Sequence, residues 1–299
     1  MLAEPIVECK NITFKYRHGE DFAIKNISFT IEKGDFIIVM GYSGCGKSTL
    51  LKAINGLVPN FYPGSYGGKV TTLGIETTEI ETAKLADRVG FVFQNPENQL
   101  SNLTVEQEIA FPLENFGYPR EQMKKRIDEI ISLLNLESIR YKSPFKISGG
   151  EQQLTAIGAA LALDPPILIL DEVTAHLSPQ KSQEILQLLH QLNTEYQKTI
   201  ILSEHRLDRM LSYATKLIFM EKGSLMAIGK PRELIKQGKI PVELMPKLPR
   251  LFQKFVDSYS SIEPKTKATL ESLDFTTPLT NKEFLGNLRK IERTMGEDK

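Results

Sequence analysis

The chain has 299 residues, 41% of them hydrophobic and 25% charged. That gives room for roughly two folding units and an ordinary balance for burying a sizeable core. Lys plus Arg equals Asp plus Glu at 37 each, so no bulk basic field draws nucleic acid or acidic lipid, and no nucleic-acid partner is expected. No apolar stretch reaches membrane-spanning length, and Met1 to Pro5 leads straight into a strand without a leader pattern, so the expected place is the cytoplasmic side. The two cysteines, Cys9 and Cys45, have neither metal-ligand spacing nor a disulfide framework.

Residues 6–16 and 22–31 alternate as a strand pair joined by the polar turn 17–21. Tyr16 closes the first strand, where an aromatic ring either stacks on a nucleotide base or packs as an ordinary strand end. The apolar run Phe36 to Met40 then leads into Gly41-Tyr-Ser-Gly-Cys-Gly-Lys-Ser-Thr49 and a helix from Leu50 to Gly56. Strand, glycine-rich turn and helix start are the context of a phosphate-binding P-loop. Gly41, Gly44 and Gly46 permit the tight turn, and the N–H groups across Ser43, Gly44, Cys45, Gly46 and Thr49 converge at a helix N-terminus. Lys47 is placed to reach β- and γ-phosphates and the Ser48 hydroxyl to take a Mg²⁺ position. Cys45 reads as a small loop side chain rather than a nucleophile.

Residues 59–68 are too rich in Gly, Pro and aromatics for regular structure and read as a loop. A short strand near 69–73, a helix near 81–87 and a buried strand 89–93 follow, with Gln94 left at the last strand's carboxyl end, where ligands sit in doubly wound sheets. Residues 104–140 have helical period, with Pro112 and Pro119 as boundaries, and form a helical insertion of about 96–147. Ser148-Gly149-Gly150 opens another helix and offers N–H groups to an anion. Ile167 to Leu170 suits a central parallel strand ending in two carboxylates, Asp171 to hold metal and Glu172 to orient or deprotonate water. A helix 179–196 and a strand 199–202 end at Ser203-Glu-His205, where His205 is placed to meet a γ-phosphate. A hairpin over 216–229 closes this part, residues 1–235, and 236–299 form a helical appendage.

In this order the pieces resemble the ATP-binding cassette ATPase family over residues 5 to about 235. Gly41 to Ser48 matches Walker A, Gln94 the Q-loop, Ile147 to Glu151 the signature, Ile167 to Asp171 Walker B, Glu172 the catalytic glutamate, His205 the switch histidine and Tyr16 the adenine-stacking aromatic. The resemblance implies an α/β fold of the P-loop NTPase type: a mixed or parallel sheet core, an antiparallel β subdomain and a helical insertion, here with the C-terminal helical appendage. It also implies ATP hydrolysis with Mg²⁺ held near Ser48, Gln94 and Asp171. Sites are composite, with Ser148, Gly149 and Gly150 serving a second ATPase, either a sister subunit or an identical copy.

Phe93 to Gln99, Gly56 to Tyr62, Glu204 to Asp208 and Pro278 to Lys282 are similar to the ATPase subunits of energy-coupling factor transporters. That likeness implies a transmembrane coupling protein, a substrate-binding membrane protein, vitamin or metal-ion uptake, and a peripheral place on the cytoplasmic face of the cell membrane. The alternatives are a conventional ABC importer ATPase and a low-turnover nucleotide-binding regulatory partner. Departures are Ile147 and Glu151 in the signature, Leu154 for the usual Arg, Val173 for the usual Pro, and His176-Leu177-Ser178 where the D-loop usually has Gly-Leu-Asp.

Overall fold

The computed structural model describes residues 5–204, 210–260 and 277–296. Two sheets carry the fold. β1 (Val7–Tyr16), β2 (Ile24–Ile31), β4 (Gly64–Thr72) and β5 (Ile75–Glu76) form an antiparallel sheet in the order β2-β1-β4-β5. The second sheet has the order β10-β9-β3-β8-β7-β6, from β3 (Phe36–Gly41), β6 (Val89–Val92), β7 (Ile167–Asp171), β8 (Thr199–Ser203), β9 (Lys216–Glu221) and β10 (Ser224–Gly229). Its pairings are parallel except for the β9–β10 hairpin.

Period-two alternation sorts the inner strands onto two faces. Ile37, Val39, Ile167, Ile169 and Ile201 meet the antiparallel sheet and α1 (Lys47–Ile54), whose Leu50, Leu51 and Ile54 fill the space between the layers. Phe36, Ile38, Met40, Leu168, Leu170 and Leu202 meet α5 (Gly149–Leu161) and α6 (Pro179–Thr194) on the other face. β3, β7 and β8 are buried along their whole length, which is why they read as continuous apolar runs. Truncating one of these side chains to Ala costs about 2–5 kcal/mol.

A single helical turn, α2 (Leu57–Asn60), follows α1. The insertion consists of α3 (Val105–Asn115) and α4 (Arg120–Leu133), which share a core of Val105, Ile109, Leu113, Ile127, Ile130 and Ile131. After the second sheet come α6's successors α7 (Pro231–Lys236), α8 (Lys247–Ser260) and α9 (Asn281–Gly296). Arg232 of α7 pairs with Glu283 of α9 at 2.5 Å. Among the described residues no helix is long and apolar enough to cross a membrane.

Three local expectations are corrected. Residues 64–68 are strand rather than loop, paired with β1 from Thr13↔Gly67 to Tyr16↔Gly64. The composition misleads because a Cβ at position 64 would stand 2.1 Å from the Lys15 carbonyl oxygen, so glycine is required by close packing and not by a turn. The helix near 81–87 is a 3-10 turn over Thr82–Leu85, anchored by buried Leu85. Pro112 lies inside α3 and does not bound it, since buried Ile109 and Leu113 on either side hold the helix through the lost backbone bond.

Candidate nucleotide site

β3 ends at Gly41, and the loop to α1 turns through left-handed conformations at Gly44 (φ 74) and Gly46 (φ 103). A Cβ at position 46 would stand 2.3 Å from the Ala23 carbonyl oxygen, so the antiparallel sheet presses the loop into a shape open only to glycine. Helix α1 starts without a side-chain cap and without an acidic residue in its first turn. The leading N–H groups of Lys47, Ser48 and Thr49 have no partner within the helix, and the helix dipole adds positive potential there. Ser43 and Gly44 are exposed, and a Cβ at Gly44 would meet nothing within 4 Å.

Cys45 turns inward. Its N–H donates to the Tyr42 carbonyl at 3.2 Å, its own carbonyl accepts from Gly223 in the β9–β10 turn at 3.0 Å, and its thiol is buried. Burial pushes that thiol above the ordinary value, with the Lys47 charge pulling partly the other way.

Lys47 is 4% exposed and folds back on the loop, its Nζ donating to the carbonyls of Gly41 at 3.1 Å and Tyr42 at 3.3 Å. The same ammonium pairs with a Glu172 carboxylate oxygen at 3.5 Å, while Gln94 Nε2 donates to the other oxygen at 2.9 Å. Glu172 has φ 50, a left-handed conformation for a non-glycine residue. Ser203 holds it there: the Glu172 N–H donates both to the Ser203 carbonyl and to its Oγ, each at 3.1 Å. Asp171 is buried at the end of β7, directly paired with Ser203 at the end of β8.

Lys47, Glu172, Gln94, Asp171 and Ser203 are therefore one connected network at the carboxyl ends of β3, β6, β7 and β8. Tyr16 is half-buried beside it, its hydroxyl 3.1 Å from Thr49 Oγ1 and its ring edge-on to Phe14 and Tyr62. His205 lies outside the described residues.

Ser148 caps α5 in a reciprocal box: its Oγ takes the Glu151 N–H at 3.4 Å, and Glu151 Oε2 takes the Ser148 N–H at 2.8 Å and its hydroxyl at 2.6 Å. The Ser148 hydroxyl, then its N–H, hold the Glu151 carboxyl below the ordinary range. Ser148 and Gly150 share no hydrogen bond with the Lys47 network among the described residues, and Gly150 instead faces the Lys181 stem. Gly149 lines a cleft of about 260 Å³ together with Gln94, Glu172 and His176. Ser178 is the N-cap of α6, accepting the Lys181 N–H at 3.3 Å.

Two contributors were missed from the sequence. Ser203 belongs to no motif, although its place at the end of an apolar strand is a signal of the same kind that marks Asp171. Glu204, 2% exposed, accepts the N–H and hydroxyl of Thr174 at 2.9 and 2.7 Å, fixing the turn after Glu172.

The donor set suits a polyphosphate: uncapped N–H groups, an open hollow at Gly44 and a buried lysine. Among the described residues no three His, Cys, Asp or Glu side chains converge as a metal cage. A Mg²⁺ ion would thus take a hydroxyl, an amide oxygen and one carboxylate, from Ser48, Gln94 and Asp171, completed by phosphate oxygens, a set this hard cation accepts.

The ABC transporter family model matches residues 24–175. A putative ABC transporter ATP-binding protein of Caldanaerobacter subterraneus subsp. tengcongensis is 37% identical over 299 residues, 100% of this chain and 50% of that protein. One from Methanosarcina mazei is 40% identical over 239 residues, 79% of this chain and 40% of that protein. The chain thus spans half or less of the length of these two curated relatives. The energy-coupling factor transporter ATP-binding protein EcfA1 of Geobacillus kaustophilus is 37% identical over 237 residues, 79% of this chain and 83% of that protein.

Among solved structures, CbiO1 of Clostridium perfringens, described as part of the ABC transporter complex cbiONQ, is similar with a TM-score of 0.71 at 26% identity, covering 90% of this chain and all of that one. The dimeric post-hydrolysis state of the ATP-binding cassette MJ0796 with ADP and Pi bound is similar with a TM-score of 0.67 at 33% identity, covering 76% of this chain and 99% of that one.

Proposed function

The chain belongs to the ABC transporter family, and from that membership we propose that it is the ATP-binding and ATP-hydrolysing subunit of a membrane importer of the energy-coupling factor type. The observation that carries the reading is the junction of Lys47, Glu172 and Gln94, a cation, a carboxylate and an amide held together above the uncapped start of α1. The similarity to EcfA1, and to CbiO1 with its complex, supports the finer type.

The residues divide the work by charge. N–H groups from Gly44 to Thr49 bind the phosphates, and Lys47 leaves Glu172 to neutralise the transferring group. Glu172, released from that pair, accepts a proton from a water molecule as the water oxygen bonds to the γ-phosphorus and the bond from that phosphorus to ADP breaks, giving ADP and phosphate. Ser48, Gln94 and Asp171 would hold Mg²⁺, which neutralises phosphate charge when bound. Gln94 keeps the Glu172 carboxylate oriented, His205 contacts the γ-phosphate, and Tyr16 stacks on the base. Ser148 and Gly150, which share no hydrogen bond with this network among the described residues, and Gly149, at the cleft beside Gln94 and Glu172, would serve the site of a second cassette. ATP then joins two ATPases at the cytoplasmic membrane face, and its hydrolysis moves a transmembrane coupling protein and a substrate-binding membrane protein.

The test uses the complex purified through a tag on this chain. Glu172→Gln should keep ATP binding and lower turnover by about 10²–10⁴-fold, the range for losing a general base. Lys47→Ala should abolish binding. Turnover by Glu172→Gln at the unmutated rate would sink the assignment.

A further inference from the structure

We infer that Gln99 is a positioning residue for Gln94. The inference rests on the reading of Gln94 given above and extends it to a residue that touches neither nucleotide nor Glu172.

Among the described residues β6 is the edge strand of its sheet, with no further strand on its outer side. The side-chain amide of Gln99 takes that place. Its Oε1 accepts the Phe93 N–H at 3.1 Å and its Nε2 donates to the Phe91 carbonyl at 3.2 Å. One amide thus engages a backbone acceptor and a backbone donor two residues apart on the strand's outer edge, as a neighbouring strand does. Phe93 directly precedes Gln94, so the bond fixes the last peptide before the amide that meets Glu172.

The loop between them is folded tightly back. The Asn95 side chain caps the 3-10 turn Pro96–Asn98, and the N–H groups of Gln99 and Leu100 both reach the Pro96 carbonyl, at 2.9 and 3.0 Å. Leu100 is buried in the main core. Immediately beyond, Ser101 N–H, Asn102 N–H and Asn102 Nδ2 all donate to a single oxygen of Glu108, at 3.0, 2.8 and 3.1 Å. Glu108 is 4% exposed and belongs to α3. Residues 94–102 are therefore slung between the edge of the catalytic sheet and the insertion.

A purely structural role predicts lost stability without selectivity, so the experiment is a double-mutant cycle on the complex purified through this chain. Gln99→Met removes both hydrogen bonds at similar length. It should lower kcat by about tenfold, within the range of coupling between neighbouring residues, while KM for ATP stays close to the parent. In a Gln94→Ala background, Gln99→Met should have no further effect on kcat. Gln99→Glu keeps the acceptor for Phe93 and serves as the second variant if Gln99→Met fails to assemble, with a smaller loss expected. An equal fold-loss in both backgrounds, or unchanged kcat in the parent background, overturns the inference. If Gln94→Ala alone turns over at the parent rate, the reading of Gln94 itself fails, and that outcome is distinct from the other two.

Discussion

Ser203 Oγ donates to Asp171 Oδ1 at 2.5 Å, across the last pair of the β7–β8 ladder. The same hydroxyl accepts the Glu172 N–H, so one side chain of β8 fixes both carboxylate residues at the end of β7. Ser203→Ala takes the hydroxyl donor from the buried Asp171 carboxylate, while the Glu172 N–H keeps only the backbone carbonyl of residue 203. It should cost about 1–3 kcal/mol of stability, read by urea denaturation. It should also raise the Mg²⁺ concentration needed for half-maximal turnover by about 10–100-fold, as loss of an outer-shell partner does. Unchanged Mg²⁺ dependence would count against Asp171 as the metal-side carboxylate.

Cys45 provides a probe of the P-loop. Burial raises its thiol pKa, so at any pH below that value less thiolate is present than for a free cysteine, and maleimide labelling should be slow near neutrality and accelerate as pH rises. ATP with Mg²⁺ should slow it further, while Cys9, whose buried thiol is also raised by burial, labels to the same extent in denatured protein either way. Equal Cys45 labelling with and without saturating nucleotide would argue against a filled loop.

Glu151 stands where the family usually has Gln, and its lowered pKa fixes the sign of a pH effect. A carboxyl with a folded value below its unfolded one stabilises above the ordinary carboxylate range and loses that contribution as pH falls through the lowered folded value. Glu151→Ala should therefore lower the melting temperature at about pH 6, and the difference from the parent should shrink toward about pH 3. A pH-independent difference would mean that the charge of the capping box contributes nothing.

Ser178 occupies the usual Asp position of the D-loop and caps α6. Ser and Asp are equally good caps, so Ser178→Asp should leave stability within about 0.5 kcal/mol, whereas Ser178→Ala should cost about 1 kcal/mol. In a pair of identical copies the Asp variant should raise ATP turnover. Unaltered turnover with unaltered stability would mean that the cap is the whole role of this residue.

The strands around the site were legible because burial on both faces writes itself as uninterrupted Val, Ile and Leu, and the P-loop because Gly46 admits no Cβ. Lys47 was readable from the glycine-rich loop that precedes it, Gln94, Asp171 and Glu172 as strand-end polar residues, and they meet. Tertiary contacts outvoted local rules elsewhere. Gly64 signals close approach between β1 and β4, which composition cannot tell from a turn, and Pro112 is carried by the core of the insertion. The parts played by Ser203 and Gln99 depend on strand register and on a side chain folding back to a sheet edge. Neither leaves a periodic trace.

The left-handed backbone at Glu172 sets folding against chemistry at a single position. A side chain in that region costs about 1–2 kcal/mol that glycine does not incur. Glu172→Gly relieves that cost but strips the buried Lys47 ammonium of its carboxylate. The fair comparison is therefore with Glu172→Ala, which loses the same pair and keeps the strain. The Gly variant should accumulate better in cells than the Ala variant, while neither turns over ATP at the parent rate. A survey of variants scored by abundance would rank Gly above the other substitutions at position 172, and one scored by ATP turnover would rank them all alike as lost. The gap between the two rankings, more than either alone, would mark where this fold has been held away from its own optimum.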